Sequence, residues 1–461
     1  MEFSSFLLSL ILFLLNLSLL VLSNRTNHDD FLSCLSRKIN ENTFETKITH
    51  TSKDSSFSSI LASSIQNPRF SVPETPKPVS IITPVQATDV QTTLRTGPVE
   101  SKAEMENCTM RLVKLPNLLL SRPVLTQPSA SEDILAVEVT SDNVIDALLV
   151  DARGRILDRQ AMGEEYFWAT RGGGGSSFAV VLSWKIRLVD VSSMATVLKV
   201  EKTSESEAVP MINKWQYVAD NVPNNLYIRA TLERSNNNAV QTSFSGNYIG
   251  PVNDLLALME DKFPLLGLRV QDCTEMSWIE SVLWFANSPN GETLAALANQ
   301  YLSRAAVQEL WRRVEAPKAR LAKILLTPFG VKMSEIAEHE TPFPHREGNL
   351  YQIQYMAYWR QEEDKDKRET KKYLKWVENV YHFMTPYVLK SPRGAYVNFM
   401  DHNSGMYTRK EKTKYEEGKS WGVKYFKNNF ERLVRVKSSV DPTYFFCQEQ
   451  SIPPLKSAGH F

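Results

Sequence analysis

The chain has 461 residues, with 53 basic and 52 acidic side chains, 7 His and 4 Cys. That length exceeds one hydrophobic core and points to two domains, while a formal net charge of +1 gives no electrostatic reason to expect nucleic acid or an anionic membrane as partner. At 42 % hydrophobic and 23 % charged residues the chain is neither disordered nor a membrane bundle, and its four Cys exclude a disulfide-built fold or a Cys-rich zinc module.

Phe6 to Leu22 is apolar apart from Ser9, Asn16 and Ser18, and Ser23 precedes the polar Asn24, Arg25 and Thr26. Residues 1–23 therefore read as a secretory signal peptide. An uncleaved anchor is the alternative, because the apolar run is long and its start carries Glu2 but no Lys or Arg. The mature chain is expected to be secreted, in the extracellular space, the cell wall or an endomembrane lumen, without membrane contact after cleavage. Asn24-Arg25-Thr26 and Asn107-Cys108-Thr109 are glycan acceptors in such a compartment.

Phe57, Ile60, Leu61 and Ile65 share a helical face, Val79 to Ile82 reads as a strand ended by Thr83-Pro84, and a helix is expected from Gln86 to Leu94. Residues from about 96 to 133 show no period, and the apolar run Leu112 to Leu125 is cut by Pro116 and Pro123. So long a structureless stretch is at odds with a compact domain. Ile134 to Val137 reads as a strand. Val144 to Val150 and Arg155 to Leu157 read as two more around the turn Ala152-Arg153-Gly154. Gly163 to Thr170 is expected to be helical, Arg171 to Gly175 a loop, and Phe178 to Leu188 a long buried strand. Strands are expected at Ile228 to Leu232 and Thr242 to Ile249, and helices at Val252 to Asp261 and Leu302 to Val314. Tyr373, Trp376, Val377, Val380, Tyr381 and Met384 mark an amphipathic helix stopped by Pro386. A strand at Gly394 to Phe399 and a helix over Ser420 to Val436 complete an α+β pattern of two domains.

Four motifs carry potential chemistry. The run Gly172 to Gly175 lets backbone amides approach a phosphate or cofactor, or simply makes a tight turn; with a strand after it and no Lys, it is not a dinucleotide fingerprint or a P-loop. Gly418-Lys419-Ser420-Trp421-Gly422 has the spacing of a nucleophile elbow, but the charged stretch before it is no hydrophobic strand, which argues against a hydrolase. His339, Glu340 and His345 are spaced wrongly for a zinc helix, and Pro342 and Pro344 forbid one, so no metal is expected. Leu350 to Tyr355 alternates strictly, with Gln352, Gln354 and Met356 on one face and Tyr351, Ile353 and Tyr355 on the other. The amides there line a cavity or face water.

Taken in order, several longer segments resemble the berberine bridge enzyme-like FAD-linked oxidases of the vanillyl-alcohol oxidase superfamily, with a PCMH-type FAD-binding domain. They are Phe31 to Leu35, Pro76 to Pro84, Asp142 to Asp146, Arg155 to Arg159, Phe167-Trp168-Ala169 with Arg171 to Phe178, Glu340 to Arg346, Asn349 to Tyr355, Tyr425-Phe426, Asn429 to Leu433, Val440-Asp441-Pro442 and Glu449 to Pro454. The resemblance covers residues of roughly 30–95 and 135–455. It implies an FAD domain at 30–190, truncated and carrying a foreign stretch at about 96–133. A substrate domain of antiparallel sheet backed by helices would occupy 191–410, and a C-terminal segment, 411–455, would return to the FAD domain. It further implies hydride transfer from an alcohol, amine or carbohydrate group to FAD. The partners would be a small-molecule or carbohydrate substrate and oxygen or another electron acceptor, and the protein would be a monomer.

The residues carried over are Gln354, Gln352 and Tyr396 on the catalytic side, and Asn143, Val144, Gly174, Gly175, Tyr425 and Asn429 toward the cofactor. Asn398 completes the Y-x-N pattern, and Phe399 stands where relatives place Tyr or His, which removes a proton-transferring group. The SGGH loop and the Cys that attach the flavin covalently in relatives are not in the sequence, so FAD would be bound non-covalently. Cys108 lacks the neighbours of that Cys, and Cys34 lacks its expected disulfide partner. Two alternatives to an active oxidase follow: a catalytically dead relative kept as a binding protein, and the product of an incomplete or mis-spliced gene.

Overall fold

A computed structural model describes residues 33–35, 37–38, 49–64, 77–78, 80–84, 86–96, 140–188, 192–219, 221–234, 239–286, 292–316, 322–357, 368–399, 415–448 and 450–455. The expected signal peptide, both glycan triplets, Cys108, the stretch at about 96–133 and the strand Ile134 to Val137 lie outside them.

In chain order the elements are β1 (Thr49–Thr51), α1 (Ser55–Ser64), β2 (Ser80–Ile82), α2 (Ala87–Thr96), β3 (Val144–Val150), β4 (Ile156–Leu157), α3 (Glu164–Thr170), β5 (Val180–Ile186), β6 (Ala195–Lys202), α4 (Glu205–Val218), β7 (Leu226–Arg234), β8 (Val240–Tyr248), α5 (Val252–Lys262), β9 (Cys273–Met276), α6 (Trp278–Ala286), β10 (Glu292–Ala298), α7 (Arg304–Glu315), β11 (Ala322–Pro328), β12 (Tyr351–Ala357), α8 (Arg368–Phe383), α9 (Tyr415–Phe426) and α10 (Asn429–Val440). Single helical turns at Arg159–Met162 and Gly330–Glu335 join them.

Three antiparallel sheets result among the described residues: β1-β2, β4-β3-β5, and a seven-stranded sheet in the order β10-β12-β11-β7-β8-β6-β9. Period-two alternation gives the large sheet two unlike faces. Ile228, Ala230 and Leu232 of β7, Ile324 and Leu326 of β11, and Tyr351, Ile353 and Tyr355 of β12 point to the first face. There they share a core with Trp215 of α4, Leu310 of α7 and Trp376 of α8. A second core joins Leu149 and Leu157 to Trp168 and Phe178, and covers them with Trp421, Phe426, Phe430 and Leu433 of α9 and α10. The C-terminal helices thus pack on the small sheet. This is an α+β fold, as expected.

Three readings are corrected. Phe178 to Leu188 is not buried throughout: among the described residues β5 lies at the edge of its sheet, and Ile186 and Leu188 are 42 % and 85 % exposed. Gly394 to Phe399 is no strand. The Ala395 amide donates to the Lys424 carbonyl at 3.0 Å and the Phe399 amide to Tyr396 at 2.9 Å, so the segment is an irregular strap held by α9. Ser420 to Val436 is two helices, because Lys427 takes φ +43° and breaks the ladder between α9 and α10. The strands β1, β6, β9, β10 and β11 gave no clear signal in the sequence. The rejected nucleophile elbow lies within α9, where a Cβ on Gly422 would overlap the Phe430 ring; the glycine permits α9 and α10 to touch.

Candidate active site

The second face of the large sheet is polar, although it is buried. Gln352 and Gln354 are each 5 % exposed, and the register sets Thr327 beside Gln352 and Leu325 beside Gln354. Thr231, Ser243, Arg229, Ser245, Tyr227 and Asn247 continue that face across β7 and β8, all of them buried. At its far end α6 covers it, with Phe285 packed on Val197 and Tyr227 and Ser281 accepting from Asn247 Nδ2 at 3.2 Å. Gln352 Nε2, Thr327 Oγ1 and Asn247 Oδ1 are buried without a hydrogen-bond partner. Each such group costs about 1–3 kcal/mol when left unmet. Gln352 and Thr327 stand side by side on this face, so an amide donor and a hydroxyl are offered together to a polar ligand.

Two backbone segments frame this face. The strap 394–399 crosses it beside β10: a Cβ on Gly394 would sit 3.0 Å from Leu297 Cδ1, and Leu297 is the register partner of Gln352. Tyr396 is thereby held between the rings of Phe343 and Phe399, at 5.5 and 5.7 Å. Phe343 belongs to the second segment, residues 338–349, which leads into β12. His345 of that segment donates from Nε2 to the Lys424 carbonyl at 3.0 Å, and its Nδ1 has no partner. Burial, reinforced by the Lys427 charge, pushes its pKa down to about 3, so this imidazole is neutral at any physiological pH.

Segment 338–349 meets the turn Thr140–Asn143 and the glycine loop. Val144 is buried with Ala147 and Phe167, and the Asn143 carbonyl accepts from the Arg187 amide at 2.7 Å. In the loop, Gly172 and Gly174 take φ +119° and +81°, which side chains resist. A Cβ on Gly173 would overlap the Ala169 carbonyl oxygen and press on Leu433, so the loop is wedged between α3 and α10. The Ser177 and Phe178 amides close a 3-10 turn, whereas those of Gly174, Gly175 and Ser176 donate to no acceptor among the described residues. A Cβ on Gly172 would stand 3.6 Å from both Pro342 and Ser141, so glycine loop, turn and segment 338–349 meet at one point.

The structure brings Gln352, Gln354 and Tyr396 to the polar face; Gly174 and Gly175 lie in the glycine loop, Asn143 ends the turn beside it, and the Val144 side chain packs in the core with Ala147 and Phe167. It engages the other two residues elsewhere. The Tyr425 hydroxyl donates to Gln450 Oε1 at 2.8 Å. Asn429 Nδ2 donates to the carbonyls of Glu338 at 2.6 Å and Thr341 at 3.1 Å, which anchors segment 338–349 on α10. Sequence reading missed Thr327, Thr231, Ser243, Ser245 and Asn247. The one available signal was the alternation of polar residues along Gln241 to Asn247.

The residues present fit the ring system of a flavin, whose pyrimidine rim accepts hydrogen bonds. Unpaired amides at Gly174 to Ser176 supply donors, and Gln352 supplies a buried, unmet amide. Fold and site together define a two-domain flavin-dependent oxidoreductase. Comparison with known proteins agrees. The family model described as "Berberine and berberine like" matches residues 395–453. Berberine bridge enzyme-like 28 of Arabidopsis thaliana is 58 % identical over 527 aligned positions, covering 98 % of this chain and 99 % of that protein. Its solved structure superposes with a TM-score of 0.81, covering 93 % of this chain and all of that one. Tetrahydroberberine oxidase of Berberis wilsoniae is 35 % identical, covering 94 % of this chain and 96 % of its own. Phl p 4, a grass pollen allergen with glucose dehydrogenase activity, is 30 % identical with a TM-score of 0.79, covering 92 % of this chain and all of that one.

The chain belongs to the berberine bridge enzyme-like family of FAD-linked oxidoreductases. Against the Arabidopsis relative, 527 aligned positions face a chain of 461 residues, so at least 66 positions have no counterpart here.

Proposed function

We propose that this chain is a secreted oxidoreductase that holds FAD without covalent attachment and oxidises an alcohol, amine or carbohydrate group. The observation that carries the reading is the buried polar sheet face with its unmet groups at Gln352 and Thr327. A polyhydroxy substrate satisfies such groups in pairs, donor to acceptor, and a hydrocarbon does not. A bound flavin would supply the hydride acceptor for the substrate carbon and the link to oxygen or another electron acceptor. The protein binds, orients and excludes water. Gln354 and Gln352 hold substrate hydroxyls through their amides; an amide is no base, so they orient and do not deprotonate. Tyr396, fixed between Phe343 and Phe399, walls the strap side. His345 is neutral, fully buried and spends its Nε2 proton on the Lys424 carbonyl, so it serves the packing of segment 338–349 and is not a proton-transferring group. Phe399 brings no proton-transferring group to the strap.

The test is anaerobic bleaching of the flavin absorbance by a panel of sugars, aromatic alcohols and alkaloids. Bleaching by one class, lost in Gln354→Leu with FAD still bound, supports the reading. An FAD-loaded protein that no member of the panel reduces points to a binding protein instead. A second reading has its own support: the aligned positions without counterpart match a skipped or misread exon. Sequencing the complementary DNA decides it, since a transcript that restores an SGGH segment makes the full-length product an ordinary covalent flavoprotein.

A further inference from the structure

Arg346 is fully buried, and every N–H of its guanidinium is used. Nη1 and Nη2 grip the two Asp142 oxygens at 2.8 and 2.6 Å. Nη2 also donates to Thr341 Oγ1 at 2.8 Å, Nε to the Phe343 carbonyl at 3.2 Å, and Nη1 also reaches Met333 Sδ at 3.4 Å. The partners are 204 residues apart in sequence, and the Asp142 side chain is only 7 % exposed. Removing two charges from water is costly, and apolar residues in their place often serve stability as well or better. A forked pair at this depth therefore calls for a reason other than stability, and its neighbours supply one. Asp142 is followed directly by Asn143 and Val144. Arg346 sits in the segment whose Pro342 faces the glycine loop, whose Phe343 packs on Tyr396, and which runs on into Gln352 and Gln354.

We propose that Asp142 and Arg346 are a positioning pair, which fixes the separation between the cofactor-side turn Thr140–Asn143 and the substrate-side strand β12. The proposal rests on the reading that Asn143 and Val144 face the flavin. Two parallel N–H···O contacts define distance and angle together, which a single contact or a point charge does not. Small errors in that separation are expensive for hydride transfer, because an error of about 1 Å in reacting geometry costs on the order of 100-fold in rate.

The test uses the full chain with added FAD, as wild type, Arg346→Lys and the doubly neutral D142N/R346Q. R346K keeps a charge opposite Asp142 but loses the fork. D142N/R346Q leaves no unpaired buried charge, and so remains informative if R346K does not fold. Three quantities are read: amide hydrogen exchange of segments 140–150 and 341–357, the FAD dissociation constant, and iodide quenching of bound-FAD fluorescence. Both segments should loosen together, by about 10-fold in exchange, while β7 and β8 stay as in wild type. FAD affinity should fall about 10-fold and iodide access should rise, as expected when a charge-assisted fork is lost. Loosening of one segment alone overturns the proposal, as do FAD affinity and iodide access within about 2-fold of wild type in the folded variants. Should wild type bind no FAD, the flavin reading fails separately, and the exchange data alone decide whether the two segments are coupled.

Discussion

The two halves of the molecule are held together by different physics. The seven-stranded sheet is stabilised by one broad apolar core in which Ile353, Leu326, Trp215 and Trp376 interlock. The glycine-loop side has a smaller core and relies on polar staples. Lys437 of α10 is fully buried; it pairs with Asp441 at 2.6 Å, and its ammonium also donates to the carbonyls of Ser177 and Phe446. Asp441 in turn accepts from the Phe445 and Phe446 amides at 2.7 and 2.9 Å. One lysine therefore ties the end of the glycine loop to the C-terminal segment. Burial lowers its pKa to about 8, against the opposing pull of Asp441. Apolar cores degrade gradually when a methyl group is removed, whereas a buried ionic hub fails when one member goes.

That contrast is open to attack by mutation. Lys437→Ala strands Asp441 in the core and should cost about 3–5 kcal/mol, lost first from α9, α10 and the glycine loop. Denaturant unfolding followed by exchange should then show two transitions; a single cooperative loss would mean that the halves are not distinct. Ile353→Ala should cost about 2–5 kcal/mol by opening a cavity in the large core, with the glycine-loop side affected only afterwards. Gly173→Ala forces a methyl group on the Ala169 carbonyl and should cost about 1–3 kcal/mol, read as a lower melting temperature together with weaker FAD binding.

His345 gives a prediction with a sign. Its folded pKa is about 3 and its unfolded value about 6.5, so only the unfolded chain takes up a proton between those limits. Stability should fall as pH drops through that window, by up to about 1.4 kcal/mol per unit, and His345→Gln should flatten the slope. An unchanged slope would place the titrating group elsewhere. The smallest effect is catalytic: Phe399→Tyr should raise turnover a few-fold, by placing a hydroxyl next to Tyr396. Unchanged turnover with flavin bound and substrate identified would remove position 399 from the chemistry.

The sequence made some of this legible. Strict alternation over Leu350 to Tyr355 marked β12 and put both glutamines on one face. The long segments around Arg171 to Phe178 and Glu340 to Arg346 carried the family and, with it, the fold. The extent of the polar face was not legible, because Ser243, Ser245 and Asn247 look like ordinary solvent-facing strand residues until the register buries them. The break at Lys427 was hidden for a similar reason, since a lysine at positive φ leaves no mark in an otherwise helical pattern. Nor could spacing reveal that Asn429 holds segment 338–349, or that Asp142 meets Arg346. Those contacts exist only once the chain closes on itself.

If the proposed function holds, this chain binds FAD as it stands. The most direct measurement is the FAD content of the purified full-length chain after incubation with FAD and gel filtration, followed by acid precipitation. Close to one FAD per chain is expected, released into the supernatant by acid. A folded, colourless protein that retains no FAD would contradict it.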